Sequence, residues 1–212
     1  EKVTFKIIKK GDGFVEFDAG VYVTANVSIK LSPDTKARVI YSECFEFPDG
    51  KRMRDDSSGK LDGHYDIICS HEKELLFTTY WYRAFRFIRI ECENPENILS
   101  VEAYRYNYPL EDEGCFECSD ENFNKMWDIS RNTLLCCATD ILVDCPYYEQ
   151  QQYVMDCAIE TAVLLRLTRD DRLVRKCIDE FASSQIASGL ICANYPSSWT
   201  QLIPGFSFFW IF

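Results

Sequence analysis

Asp144, Glu149, Asp156 and Glu160 crowd one short stretch of the chain, Asp144-Cys-Pro-Tyr-Tyr-Glu149-Gln-Gln-Gln-Tyr-Val-Met-Asp156-Cys-Ala158-Ile-Glu160. Carboxyl groups at this density suit a reaction in which one protonated acid delivers its proton to a leaving oxygen while ionised neighbours hold hydroxyls, which are the demands of sugar chemistry. Pro146 fits the first turn of a helix, where its missing N–H leaves nothing unpaired. The spacing therefore predicts a helix from about Pro146 to Leu167, with Asp144 at its mouth and Glu149 just inside. Asp156 and Glu160, a helical turn apart, then share one face. The same residues also admit a plain structural reading: Asp144 as an N-cap, Glu149 as a partner of the helix dipole, Asp156 and Glu160 as a solvated face.

The elements that must position these acids divide the chain in two. Val21, Val23, Ala25, Val27, Ile29 and Leu31 alternate with polar or half-polar residues, the period of a strand with one buried face. Val39–Glu43, Tyr65–Cys69, Phe85–Ile90 and Val101–Tyr106 follow as strands, separated by turn-rich pieces such as Pro48-Asp-Gly50. An antiparallel β-sandwich over residues 1–108 accounts for them. The acidic segment Asn107–Gly114, with Pro109 and Gly114, marks a change of composition, and a linker is placed at 109–118. Beyond it, Ser119-Asp-Glu offers an N-cap to a helix carrying Phe123, Trp127, Ser130, Leu134 and Ala138. A further helix runs from Asp171 through Phe181 and stops near Gly189, which suits a C′ position. The chain closes on the aromatic run Phe206–Phe212, an apolar end that predicts more chain beyond it.

With 23 basic against 34 acidic residues, the formal charge of -11 argues against a nucleic-acid partner. No apolar run approaches the roughly 18 residues of a membrane helix, so no membrane is expected. The 11 cysteines show no small-secreted-domain spacing and fit reduced thiols in a cytoplasmic setting. Cys115-Phe-Glu-Cys118 is a lone pair without further ligands, and His64 and His71 lie far upstream, so no metal site is assigned. No organic cofactor is called for. Whether copies of the chain assemble into a homo-oligomer is left open.

Asp144, Cys145, Pro146, Glu149, Gln150, Asp156 and Ala158 resemble, in register, the Asp-Cys-Pro-x-Arg-Glu-Gln-x-x-Trp-x-Gly-Asp-Ala motif of bacterial α-L-rhamnosidases of glycoside hydrolase family 78. The likeness extends upstream to Tyr80–Arg83 and Phe85–Arg89, and downstream to Leu173–Arg175, Tyr195–Ser197 and Ile203-Pro204. It implies a β-sandwich of the rhamnosidase-associated, galactose-binding-like type, then the opening helices of an (α/α)6 six-hairpin barrel over residues 119–212. It also implies Glu149 as the general acid, Asp144 and Asp156 as ligands of the rhamnose hydroxyls, and a rhamnose-containing glycoside or oligosaccharide as the partner. In such inverting enzymes the general base comes from a later part of the barrel, so this chain alone is expected to be inactive. Asp144 and Asp156 would crowd Glu149 with like charge, which helps a general acid keep its proton.

The chain departs from the motif at Tyr148 (arginine in the family), Tyr153 (tryptophan) and Met155 (glycine), and at Gly205, where an aspartate is common. Tyr148 and Tyr153 keep aromatic faces for a sugar ring. Two other functions remain open on these residues: a six-hairpin glycosidase for another deoxy or uronic sugar, and a non-catalytic carbohydrate-binding or structural module.

Overall fold

A computed structural model describes residues 1–111 and 114–211, in two compact units, Glu1–Tyr106 and Asn107–Phe212. Strand β2 (Phe14–Leu31) organises the first unit. On one edge it pairs with β8 (Leu75–Thr78) and β9 (Arg83–Cys92), and on the other with β1 (Lys6–Gly11) and β10 (Ile98–Arg105), all antiparallel. Beyond β9 lie β3 (Lys36–Ser42) and β7 (His64–Cys69). Pairing between β2 and β9 breaks off between Asp18 and Val23, where Gly20 takes a positive φ of 79° and donates its N–H to Asp18 Oδ1 at 2.7 Å. A residue with a Cβ adopts that conformation at a cost, and the bend depends on it. The strands of this sheet pack their inner side chains into one hydrophobic core.

The alternating residues Val23, Ala25, Val27, Ile29 and Leu31 are all wholly buried in that core. Each large aliphatic among them contributes about 1.5–3 kcal/mol of burial. Val21, expected inward with them, is exposed because it falls in the interrupted stretch before the register resumes. A small second sheet, β4 (Phe45–Glu46), β5 (Arg52–Met53) and β6 (Lys60–Leu61), had no periodic signature. It sets Phe45 and Leu61 against Phe87 on the other face of β9.

In the second unit α1 (Glu121–Cys137) begins as expected, Asp120 Oδ1 accepting from Asn122 N at 2.9 Å. Two helices, α2 (Val154–Leu167) and α3 (Arg172–Ser183), pack their inner faces with α1 around Leu134, Leu164, Leu173, Cys177 and Phe181. A short α4 (Phe206–Ile211) lays Phe206 and Trp210 on this cluster. Three expectations need correction. The second helix starts at Val154, eight residues after Pro146. Gly189 is not a C′ residue: α3 ends at Ser183, and Gly189, at φ 90°, closes a separate turn by donating to Ile186 O. Phe123, at the head of the α1 stripe, is exposed.

The expected linker falls partly on Asp112 and Glu113, which lie outside the described residues, as does Phe212. On either side the chain is tied to the helices. Tyr108 N donates to Ala138 O at 2.7 Å, and Gly114 N donates to Leu167 O at 2.8 Å. A Cβ on Gly114 would stand 2.8 Å from the Leu167 Cα, so this close approach needs glycine.

Candidate active site

The acids sit on a closed loop and on the first turns of the helix after it. Asp144 closes the loop twice against Gln151: its N–H donates to Gln151 O at 2.9 Å and its Oδ1 accepts from Gln151 N at 3.0 Å. Within the loop Gln150 adopts φ 55°, its N–H reaching back to Cys145 O and its Nε2 to Pro146 O at 2.8 Å. A left-handed residue cannot continue a right-handed helix, and for this reason the proline signal at 146 does not start one. α2 begins with Tyr153 as its N-cap and no side-chain cap. The Val154 N–H donates instead to Ala193 O at 3.0 Å, so a strand-like segment from beyond α3 replaces the cap.

This geometry removes most of the plain structural reading. Asp144 caps no helix and locks a loop; Glu149 lies at the exposed tip of a turn and in no helical first turn. Glu160 does share a face of α2 with Asp156, as expected, but that face is not solvated. The Glu160 Oε2 is buried and has no hydrogen-bond partner among the described residues. Burial first, then the charges of Asp156 and Asp144, pushes the Glu160 carboxyl up to about 8. Burial also raises Asp156, with Asp144 and Glu149 adding to the rise. The expected crowding by like charge is therefore expressed at Asp156 and Glu160. Beneath them burial and the nearby Glu160 push the Cys137 thiol up to about 12.

Of the expected site residues, Asp144, Glu149, Tyr153 and Asp156 come together. Burial first, then the Glu149 carboxylate beside it, raises the Tyr153 phenol above its ordinary range. Its ring meets Phe206 edge-on, centroids 6.5 Å apart, a partner with no signal in the sequence pattern. Tyr148 points outward, 57% exposed, edge-to-face with the buried Tyr147. Trp199 is 55% exposed, while Trp210 donates its Nε1 to Ile178 O at 3.2 Å. Sequence reasoning noted Glu160 only as a helical neighbour of Asp156 and gave it no role. Its burial was legible in part from Cys157, Thr161 and Leu164 flanking it on the inner face. The arrangement offers an outward carboxyl in contact with a phenol, two further carboxylates able to accept sugar hydroxyls, and a buried acid below. Among the described residues no three His, Cys, Asp or Glu side chains cluster to hold a metal ion.

A β-sandwich is followed by helices, with an acid loop before the second long one, an arrangement that is similar to parts of known proteins. Residues 111–212 match the family model described as the bacterial alpha-L-rhamnosidase 6 hairpin glycosidase domain. An α-L-rhamnosidase of Formosa agariphila is 30% identical over 94 residues, 43% of this chain and 10% of that protein. The fold is similar to that of the family 78 rhamnosidase of Bacillus sp. GL1, with TM-score 0.77 and 24% identity over 98% of this chain and 22% of the other. It is equally similar to the α-L-rhamnosidase of Dictyoglumus thermophilum, with TM-score 0.80 and 18% identity over 100% of this chain and 25% of the other. The chain thus spans about a tenth of that curated relative and about a quarter of these solved structures. The likeness to family 78 rhamnosidases read from the acid loop stands, and the β-plus-helix fold is theirs.

Proposed function

We propose that this chain forms part of a glycoside hydrolase that releases terminal α-L-rhamnosyl groups with inversion. Glu149 is the general acid: it stands at the exposed tip of the loop, where a leaving oxygen can reach it, with Tyr153 beside its carboxylate. Asp144 and Asp156 accept hydrogen bonds from the rhamnose hydroxyls, and Tyr153 and Tyr148 supply apolar faces to the ring. Inversion needs a second carboxylate across the sugar to activate water. In the rhamnosidases that this chain resembles the base comes from a later part of the barrel, so we place it outside residues 1–212 and expect the chain alone to bind without turning over.

In this reading residues 1–108 are the galactose-binding-like β domain, 109–118 the linker and 119–212 the opening of the (α/α)6 barrel. The partner is a rhamnose-containing glycoside or oligosaccharide. Among the described residues the eleven cysteines stand outside any disulfide, which accords with a reducing cytoplasm, and no helix is long and apolar enough to cross a membrane.

The single observation that carries the proposal is the joining of Asp144, Glu149, Tyr153 and Asp156 within a stretch matched to the rhamnosidase domain. The test is hydrolysis of α-L-rhamnosides by the complete gene product that contains this sequence. Glu149→Gln should lower kcat by about 10²–10⁴-fold on an alkyl rhamnoside. The loss should be smaller on a nitrophenyl rhamnoside, whose leaving group needs less help from an acid. Equal losses on both substrates would remove the general-acid role.

A further inference from the structure

Gln152 is the most completely engaged buried side chain near the acid loop, and nothing in the proposed chemistry uses it. It is 1% exposed. Its Nε2 donates to Tyr195 O at 2.7 Å and to Glu180 Oε2 at 2.8 Å, and its Oε1 accepts from Leu142 N at 3.3 Å. Both N–H groups of the amide are thereby used, and one side of its oxygen. The three partners lie on three different segments: Leu142 follows α1, Glu180 is on α3, and Tyr195 follows α3. Main-chain bonds on either side repeat the attachment, with Tyr195 N donating to Gln152 O at 3.1 Å and Val154 N to Ala193 O at 3.0 Å.

These anchors fall where the loop is otherwise least determined. Glu149 is exposed, Gln150 is left-handed, and α2 starts at Val154 without a side-chain cap. Asp144 closes the front of the loop on Gln151, and Gln152 fixes its back, immediately before Tyr153.

We propose that Gln152 is a positioning residue for the acid loop, its amide tying the backbone between Glu149 and Tyr153 to the α1 and α3 sides so that these two side chains meet. The proposal deepens the rhamnosidase reading and rests on it for its catalytic meaning, but the geometry it asserts does not depend on the sugar. The amide is specific in its chemistry. Glu180 is a carboxylate, already paired with Lys176 Nζ at 2.6 Å, and the Tyr195 carbonyl is an acceptor as well. Both need a donor, which a carboxylate at position 152 could not provide when ionised and an apolar side chain could not provide at all.

The experiment is a pH titration of Tyr153 in the 212-residue chain, followed by NMR of ring-labelled tyrosine, with Tyr153→Phe to assign the signal. In the parent chain Tyr153 should titrate above an ordinary tyrosine, because the loop holds it partly buried and beside the Glu149 carboxylate. In Gln152→Met, which keeps the length and removes both donors, its midpoint should fall toward the ordinary value near 10. The tyrosine signals of the β unit should stay in place. Glu180→Met leaves Gln152 in place and removes the acceptor of one of its two N–H groups, and should give a smaller fall in the same direction. The position-152 variant serves if its helical unit is folded by circular dichroism, and the position-180 variant decides the matter if it is not. An unchanged Tyr153 midpoint in a folded variant overturns the proposal. L-rhamnose binding, measured on the same samples, tests the functional reading separately: a parent chain that shows the Tyr153 shifts and binds no rhamnose would keep Gln152 in its role and remove the sugar.

Discussion

The two units bury carboxylates in opposite ways. In the β unit Glu16 is 3% exposed and meets Arg89 at 2.5 Å, and the neighbouring Asp18 and Asp66 are held by two nitrogens each of Arg86 and Arg83. In the helical unit Glu160 feels the like charges of Asp156 and Asp144, with one oxygen buried and without a hydrogen-bond partner among the described residues. A buried charge matched by a guanidinium serves the fold, because each group answers the other's lost hydration. A buried acid set among other acids works against the fold, and such groups collect where a site needs protons held or sugars gripped. The β unit thus answers its buried carboxylates with guanidinium groups, and the helical unit sets one among like charges.

Substitutions that exchange these two arrangements break the comparison most sharply. Arg89→Met strands Glu16 in the β core and should cost about 3–5 kcal/mol, read as a lowered denaturation midpoint of the β unit. A loss below about 1 kcal/mol would mean the pair is solvated and the contrast false.

Glu160→Gln should act in the other direction. The Glu160 carboxyl is raised from 4.5 to about 8 in the folded chain, so between those values the folded state holds a proton that the unfolded state has released. Stability from this group is thus fully present below about 4.5, falls as pH rises to about 8, and is flat above. The Gln variant should lose that slope and be more stable than the parent at pH 8 by an amount on the order of a few kcal/mol. Denaturant melts at intervals from pH 4.5 to 8.5 give the comparison. Parallel curves for the two chains would show that Glu160 is hydrated when folded.

The smallest expected effect concerns how the chain enters the helical unit. Gly114→Ala forces a Cβ to within 2.8 Å of the Leu167 backbone and should cost about 1–3 kcal/mol, with the β unit's melt unchanged. A melt shift in the β unit alone would contradict the attachment of Gly114 to α2.

What could be read from the sequence followed the strength of its periodicity. The inward set Val23 to Leu31 was legible because strands bury every second residue, and α3 because Leu173, Val174, Cys177 and Phe181 recur at helical spacing on a charged background. The fold class was legible from the same patterns, joined to the likeness of the acid motif. Val21 was misread because the bend at Gly20 is a backbone event with no hydrophobic signature. The loop from Cys145 to Tyr153 was misread for a related reason. Pro146 favours a helix locally, but the Asp144 closure on Gln151 and the anchoring of Gln152 by three distant segments decide against it. The acids themselves were legible by type and spacing. Their environments were not: that Glu160 is the buried one depends on what α1 and α3 bring against α2.

The central claim is that the loop from Asp144 and the first turns of α2 recognise L-rhamnose. Saturation-transfer NMR on this 212-residue chain, with L-rhamnose beside D-glucose and with Asp156→Asn as the paired variant, tests it most directly. The account predicts transfer to L-rhamnose and not to glucose, with an affinity near the millimolar range typical of a single small sugar and a loss of about tenfold in the variant. No transfer to L-rhamnose from a folded chain, or transfer unaffected by Asp156→Asn, would contradict it.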